Sequence, residues 1–190
     1  AYENQSKYRE AAEIYQEILR IPNTEKIAIA PLAGCLAAIG RVKDAVDLLL
    51  AAAHNTLNDN VKFLAAMTLM DFGEEDHAVR IFEALQAKFP TDEKVSLALA
   101  RCYNHDNATL RKAIPLLESA IEYAPEKSGN YKDLGHCYAR IADFERAIDL
   151  ITKGMLLDEQ VNNEDRITLG LWQDLAGQKE AAARTFADAL

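Results

Sequence analysis

The stretch DFERAIDLITKGM, Asp143 to Met155, decides the fold, because five other stretches of the chain follow its plan. A small residue, Ala147, is followed four positions later by a large one, Ile151, so the two share one helical face. The same plan is set out by KYREAAEIYQEIL (7–19), RVKDAVDLLLAAA (41–53), EEDHAVRIFEALQ (74–86), LRKAIPLLESAIE (110–122) and QKEAAARTFADAL (178–190). Their alanines, Ala11, Ala45, Ala78, Ala113 and Ala182, lead to Tyr15, Leu49, Phe82, Leu117 and Phe186, and successive units are 33 to 35 residues apart. A helical unit of that length cannot bury its apolar face alone, so the period predicts a solenoid in which neighbours stack.

A second helical motif precedes each alanine and is clearest in Tyr131-x-x-Leu134-Gly135-x-x-Tyr138. With Ala147, Ile151 and Gly154 behind it, the pattern resembles the tetratricopeptide repeat (TPR) family, whose first helix reads W-x-x-L-G-x-x-Y and whose second carries A-x-x-x-F before a proline. Pro90 and Pro125 stand where that proline belongs, and Pro22 lies one residue early. Looser versions are Leu32-Ala33-x-x-Leu36, Ala65-Ala66-x-x-Leu69, Leu99-Ala100-x-x-Tyr103 and Leu169-Gly170-x-x-Gln173, and no unit has the family's first tryptophan. The resemblance covers nearly the whole chain. It implies an all-α, right-handed superhelical solenoid of about five and a half helix-turn-helix repeats, forming one array over 1–190. The units fall near 1–25, 26–58, 59–92, 93–126, 127–161 and 162–190. Both ends fall inside a repeat, and the expectation is a fragment of a longer array.

Helices are predicted near 7–20, 26–39, 42–54, 60–72, 75–88, 92–104, 109–123, 127–140, 143–156, 161–175 and 178–190, with Gly40, Gly73 and Gly177 closing first helices at positive φ. Pro115 falls inside a second helix, where it removes a hydrogen bond and crowds the preceding turn. A local distortion is expected over 109–116.

The 30 acidic and 21 basic residues give a net charge of −9, which argues against nucleic acid, since a phosphate-binding surface is basic. No apolar run approaches the roughly 18 residues that a membrane span needs, so no membrane insertion is expected. Cys35, Cys102 and Cys137 each precede the repeat's Tyr or Leu position. Equivalent sites on neighbouring helices lie about 8–10 Å apart, beyond disulfide reach, so three free thiols and a cytoplasmic setting are predicted.

No phosphate-cradling glycine loop, nucleophile elbow or H-E-x-x-H helix is present, and neither catalysis nor a cofactor is expected. The best metal candidate pairs Cys102-x-x-His105 with His136-Cys137, but its thiols should face inward and its histidines outward, so no metal site is predicted. His54 and His77 read as second-helix surface residues, and Trp172 as packing on the last helix or left exposed.

In the TPR family the first helices line a concave groove, and the second, fifth, ninth, twelfth and thirteenth positions of each unit face the partner. Carried onto this chain, those positions give Ala30, Gly34, Ala37 and Ala38, then Phe63, Met67 and Met70: a small, apolar surface. Further on they give Lys94, Arg101 and His105, then Lys132, His136 and Arg140, joined by Asn104. The Lys/Asn clamp of chaperone-binding members is absent. The expected function is a non-enzymatic scaffold that binds an extended or helical protein segment carrying hydrophobic and acidic residues. The alternatives are a self-assembling structural protein, associating through uncapped ends, or a substrate-recruiting segment of a larger enzyme or secretion complex.

Overall fold

The computed structural model describes residues 2–105, 108–158 and 160–189, with side chains from Gln5 onward and without that of His105. Among the described residues there are eleven helices and no strand: α1 (Tyr2–Leu19), α2 (Glu25–Ala38), α3 (Val42–Asn55), α4 (Asp59–Asp71), α5 (Glu75–Lys88), α6 (Glu93–His105), α7 (Leu110–Tyr123), α8 (Ser128–Arg140), α9 (Phe144–Leu157), α10 (Asn163–Leu175) and α11 (Lys179–Ala187). Most bounds fall within one or two residues of the sequence reading. The chief exception is α1, which begins at Tyr2. Cα packing divides the chain into two compact units, Ala1–Ala98 and Leu99–Leu190, the division falling within α6.

In unit 1, α2 packs on α1, α3 and α4, and α4 packs on α3 and α5. Ala45, Ala78, Leu49 and Phe82 are fully buried there, so the small residue admits a neighbouring helix and the large one fills the space behind it. In α1 the buried alanine is Ala12, one residue beyond the Ala11 of the spacing, which is half-buried. In unit 2, α8 packs on α7 and α9, and α10 on α9 and α11, around the buried Ala113, Leu117, Ala147 and Ile151.

Four turns share one chain path. At Gly40 the amide donates to Ala37 O (2.9 Å) while Arg41 N–H reaches back to Leu36 O (2.8 Å), and the same pair of bonds recurs at Gly73/Glu74, Ala142/Asp143 and Gly177/Gln178. Each requires positive φ: 83°, 75° and 80° at the glycines, and 61° at Ala142, where a Cβ makes the conformation costly. Over 109–116, where a distortion is expected, Thr109 stands at the N-cap and the helix begins at Leu110. α7 runs unbroken from Leu110, and the exposed Pro115 forgoes its bond to the Arg111 carbonyl without ending the helix.

Candidate functional site

Glycine is a poor helix former, so a helical glycine asks for a reason. Three have one in packing. A Cβ on Gly135 would stand 3.3 Å from Ala147 O and 3.4 Å from Trp172, one on Gly154 would meet Lys132 and Ser128 O at 2.9 and 3.0 Å, and one on Gly170 would strike the Phe186 ring at 2.6 Å. Gly34, in the interior of α2, is exposed, and a Cβ there would meet nothing within 4 Å. It stands one turn beyond the half-buried Ala30 and one before Ala38, so α2 presents a nearly bare backbone on this face.

On α4, Phe63, Met67 and Met70 are all half-buried. Phe63 meets the buried Phe82 edge-on, with ring centroids 5.4 Å apart, and its other side borders a cavity of about 510 Å³ with Leu57, Leu85, Phe89, Val95 and Lys94. Lys94 is exposed at the start of α6, where Asp92 Oδ1 accepts its backbone N–H (2.9 Å). Phe63 and Lys94, which the sequence assigns to different repeats, thus share one cavity.

Unit 2 differs. Arg101 donates to Asp133 Oδ2 at 3.2 Å, with 57% of its side chain exposed. The Lys132 side chain is only 18% exposed, and its ammonium is held between Asp158 and Asp165, the latter at 2.6 Å. Burial alone would pull it down, but its hydrogen bonds to the two aspartates, and their charges, hold it above the ordinary lysine range. Asp158 lies below the usual carboxylate range, first through its bond to Lys132 and next through Ser128. Arg140 donates to Asn104 Oδ1 at 3.3 Å. His136 is exposed and sets its ring edge-on to Trp172, centroids 4.9 Å apart. The predicted His105 side chain lies outside the described residues. Trp172 is buried against Gly135 of α8, whose missing side chain leaves room for the indole.

Ion pairing one repeat onward is what the sequence reading missed. Arg101 and Asp133 are 32 residues apart, and Lys132 and Asp165 are 33 apart, so searching for opposite charge at the repeat period finds both. It also passed over Ile167, Leu171 and Leu175 on α10, one turn apart and 45%, 52% and 63% exposed.

Cys35, Cys102 and Cys137 are buried, and none of them forms a disulfide. The Cys137 thiol is pushed up to about 11, chiefly by burial and next by the charge of Asp133. Among the described residues no three His, Cys, Asp or Glu converge on a possible metal position.

Residues 54–150 match the family model described as the N-terminal TPR repeats region of Psidin. Among solved structures, MamA from Desulfovibrio magneticus RS-1 superposes with a TM-score of 0.71 at 19% identity, over 94% of this chain and 93% of that one. A MamA from strain AMB-1 gives 0.68 at 22% identity, over 86% and 96%. A thermophilic TPR protein of Thermus thermophilus gives 0.62 at 21%, over 87% and 90%. No curated protein matches the sequence. At these identities the superpositions speak for the fold.

Proposed function

Because the chain belongs to the tetratricopeptide repeat family described as the Psidin N-terminal repeats region, we propose that it is a non-enzymatic protein-interaction scaffold that docks an extended partner segment on the α2/α4 face of unit 1. The observation that carries this reading is Gly34. An exposed mid-helix glycine with open space around it costs about 1 kcal/mol relative to alanine. Folding gives no reason to keep it, whereas a partner backbone lying close against α2 does. The Phe63–Lys94 cavity lies on the adjoining first helices and offers an apolar anchor a place, with a cation at its rim. Met67 and Met70 add an adaptable thioether surface. The paired cations of unit 2 hold its own first helices in register and are not the principal carboxylate receptors. Three cysteines outside any disulfide fit a reducing compartment such as the cytoplasm.

The test uses a partner captured by the intact chain and then titrated as a purified segment. Gly34→Leu fills the open space without touching the core and should weaken binding about tenfold or more while raising thermal stability, since leucine is the better helix former. Unchanged affinity for this variant sinks the reading.

A second reading, self-association, is favoured by the α10 stripe of Ile167, Leu171 and Leu175. Sedimentation equilibrium decides it. An oligomer that Leu171→Glu converts to monomer supports it, and a monomeric parent chain removes it.

A further inference from the structure

A second cavity in unit 1, of about 260 Å³, lies between α3 and α5, the second helices of consecutive repeats, with the start of α4 at its edge. Its apolar lining is Leu50, Ala53, Ile81, Ala84 and Leu85. Around it stand five basic or titratable side chains, His54, Lys62, His77, Arg80 and Lys88, against one acid, Asp59, in a chain whose net charge is −9. The pairing within this ring is incomplete. Lys88 reaches Asp59 Oδ2 (2.5 Å) and His77 Nδ1 reaches Glu74 (3.1 Å), while Lys62 and Arg80 have no ion-pair partner among the described residues. His54 gives its Nδ1 to the Leu50 carbonyl (2.7 Å), which leaves its other ring nitrogen for a further partner. Asp59 Oδ1 is buried with no hydrogen-bond partner.

We propose that this pocket is a second docking site, separate from the α2/α4 face, for an acidic peptide segment that inserts one aliphatic side chain. Two observations select that occupant. The volume sits below the ordinary small-ligand range of about 300–1,000 Å³ and suits a single anchoring side chain. Lys62 and Arg80 call for carboxylates flanking the anchor, and each pairing is a charge-assisted bond at a partly desolvated rim. Asp59, whose Oδ2 is held by Lys88, also lines the Phe63 cavity.

The experiment titrates the intact chain by fluorescence polarisation with a labelled acidic peptide carrying one leucine between glutamates. Matched leucine-to-alanine and glutamate-to-glutamine peptides, and octanoate, are run alongside. The leucine peptide should bind saturably, each substituted peptide should bind about tenfold more weakly, and octanoate should not compete below millimolar concentration. Lys62→Glu with Arg80→Glu should abolish binding while the far-ultraviolet circular dichroism stays unchanged. Ala84→Trp, which fills the exposed side of the pocket and leaves the charges in place, should do the same, and Gly34→Leu should have no effect. Absence of saturable binding at about 1 mM peptide, binding that survives the double reversal or the filled pocket, or competition by octanoate as effective as by peptide overturns the proposal. A loss with Gly34→Leu assigns the peptide to the α2/α4 face and overturns it equally.

Discussion

The first helices of the two units occupy the same place in the repeat yet are held in opposite ways. In unit 1, α2 meets α4 through small and apolar residues, with Ala33, Ala65 and Ala66 fully buried and Gly34 left bare at the surface. In unit 2, Arg101 and Lys132 reach forward one repeat to Asp133 and Asp165. Ion pairs of that span fix the register between successive first helices and consume the charge that makes them. Small residues fix a close approach and leave a surface uncommitted. A cation on the partner-facing side of a repeat is therefore to be weighed against the acids one period away, and in unit 2 Arg101 and Lys132 are both so engaged.

A charge placed in one core should separate the two units most. Ala78→Asp places a carboxylate at a position with no exposure, with an expected loss of about 4 kcal/mol or more. Because stability in a repeat array is passed between neighbours, hydrogen exchange should show α3 to α5 unprotected while α8 and α9 stay closed. Equal loss of protection in both units contradicts the division.

Lys132→Ala tests the ion-paired unit. It leaves Asp158 and Asp165 facing each other without a cation in a place only 14–21% exposed, with an expected cost of about 2–3 kcal/mol in urea denaturation at neutral pH. The pH dependence has a definite sign. Asp158 is depressed by Lys132, so its contribution is present above the unfolded value near about 4 and is lost as pH falls through its lower folded value. Lys132 is raised, so its contribution holds below about 10.4 and is lost as pH rises through the folded value. The gap between parent and variant should close at both extremes, and a gap independent of pH removes the electrostatic account.

Two smaller substitutions gain stability, one in each unit. Gly34→Ala should add about 1 kcal/mol by helix propensity. Ala142→Gly should add about 1 kcal/mol by relieving a non-glycine residue at φ 61°, in a turn that three glycines make elsewhere. Thermal melts decide both, and a loss on either removes the reason assigned to that position. Arg101→Ala should have the smallest effect. Its pair is more than half exposed on the arginine side, and a change under about 0.5 kcal/mol is expected; a larger one makes Arg101 a structural residue on a par with Lys132.

Much of this fold was legible because a repeat states its packing rule several times over. Ala45, Ala78, Ala113 and Ala147 could be aligned by eye, and four zero-exposure sites follow from them. Gly40, Gly73 and Gly177 marked their turns through a backbone angle that other residues resist. Ala142 makes the same turn without the marker, because four hydrogen-bonding turns of one path tolerate one strained residue when the flanking helices are well packed. Pro115 does not end α7, because packing carries the helix across the missing bond.

The site was less legible. Reading positions along one helix face found Phe63 and Lys94 but could not show that they share a cavity, since they lie on α4 and α6. His54 and His77 read as surface residues of different repeats, and only the packing of α3 and α5 on α4 brings them to one pocket with Lys62 and Arg80. The sequence by itself determined the all-α repeat, its period, its turns, its buried thiols and the face each residue occupies, because these follow from helical periodicity and residue size within about one repeat. Which cations are spent, which glycine is crowded and which is bare, and which side chains line one cavity were decided by tertiary structure alone. Those depend on the distance between atoms of different repeats, and a helical period places a side chain on a face without saying what stands opposite it.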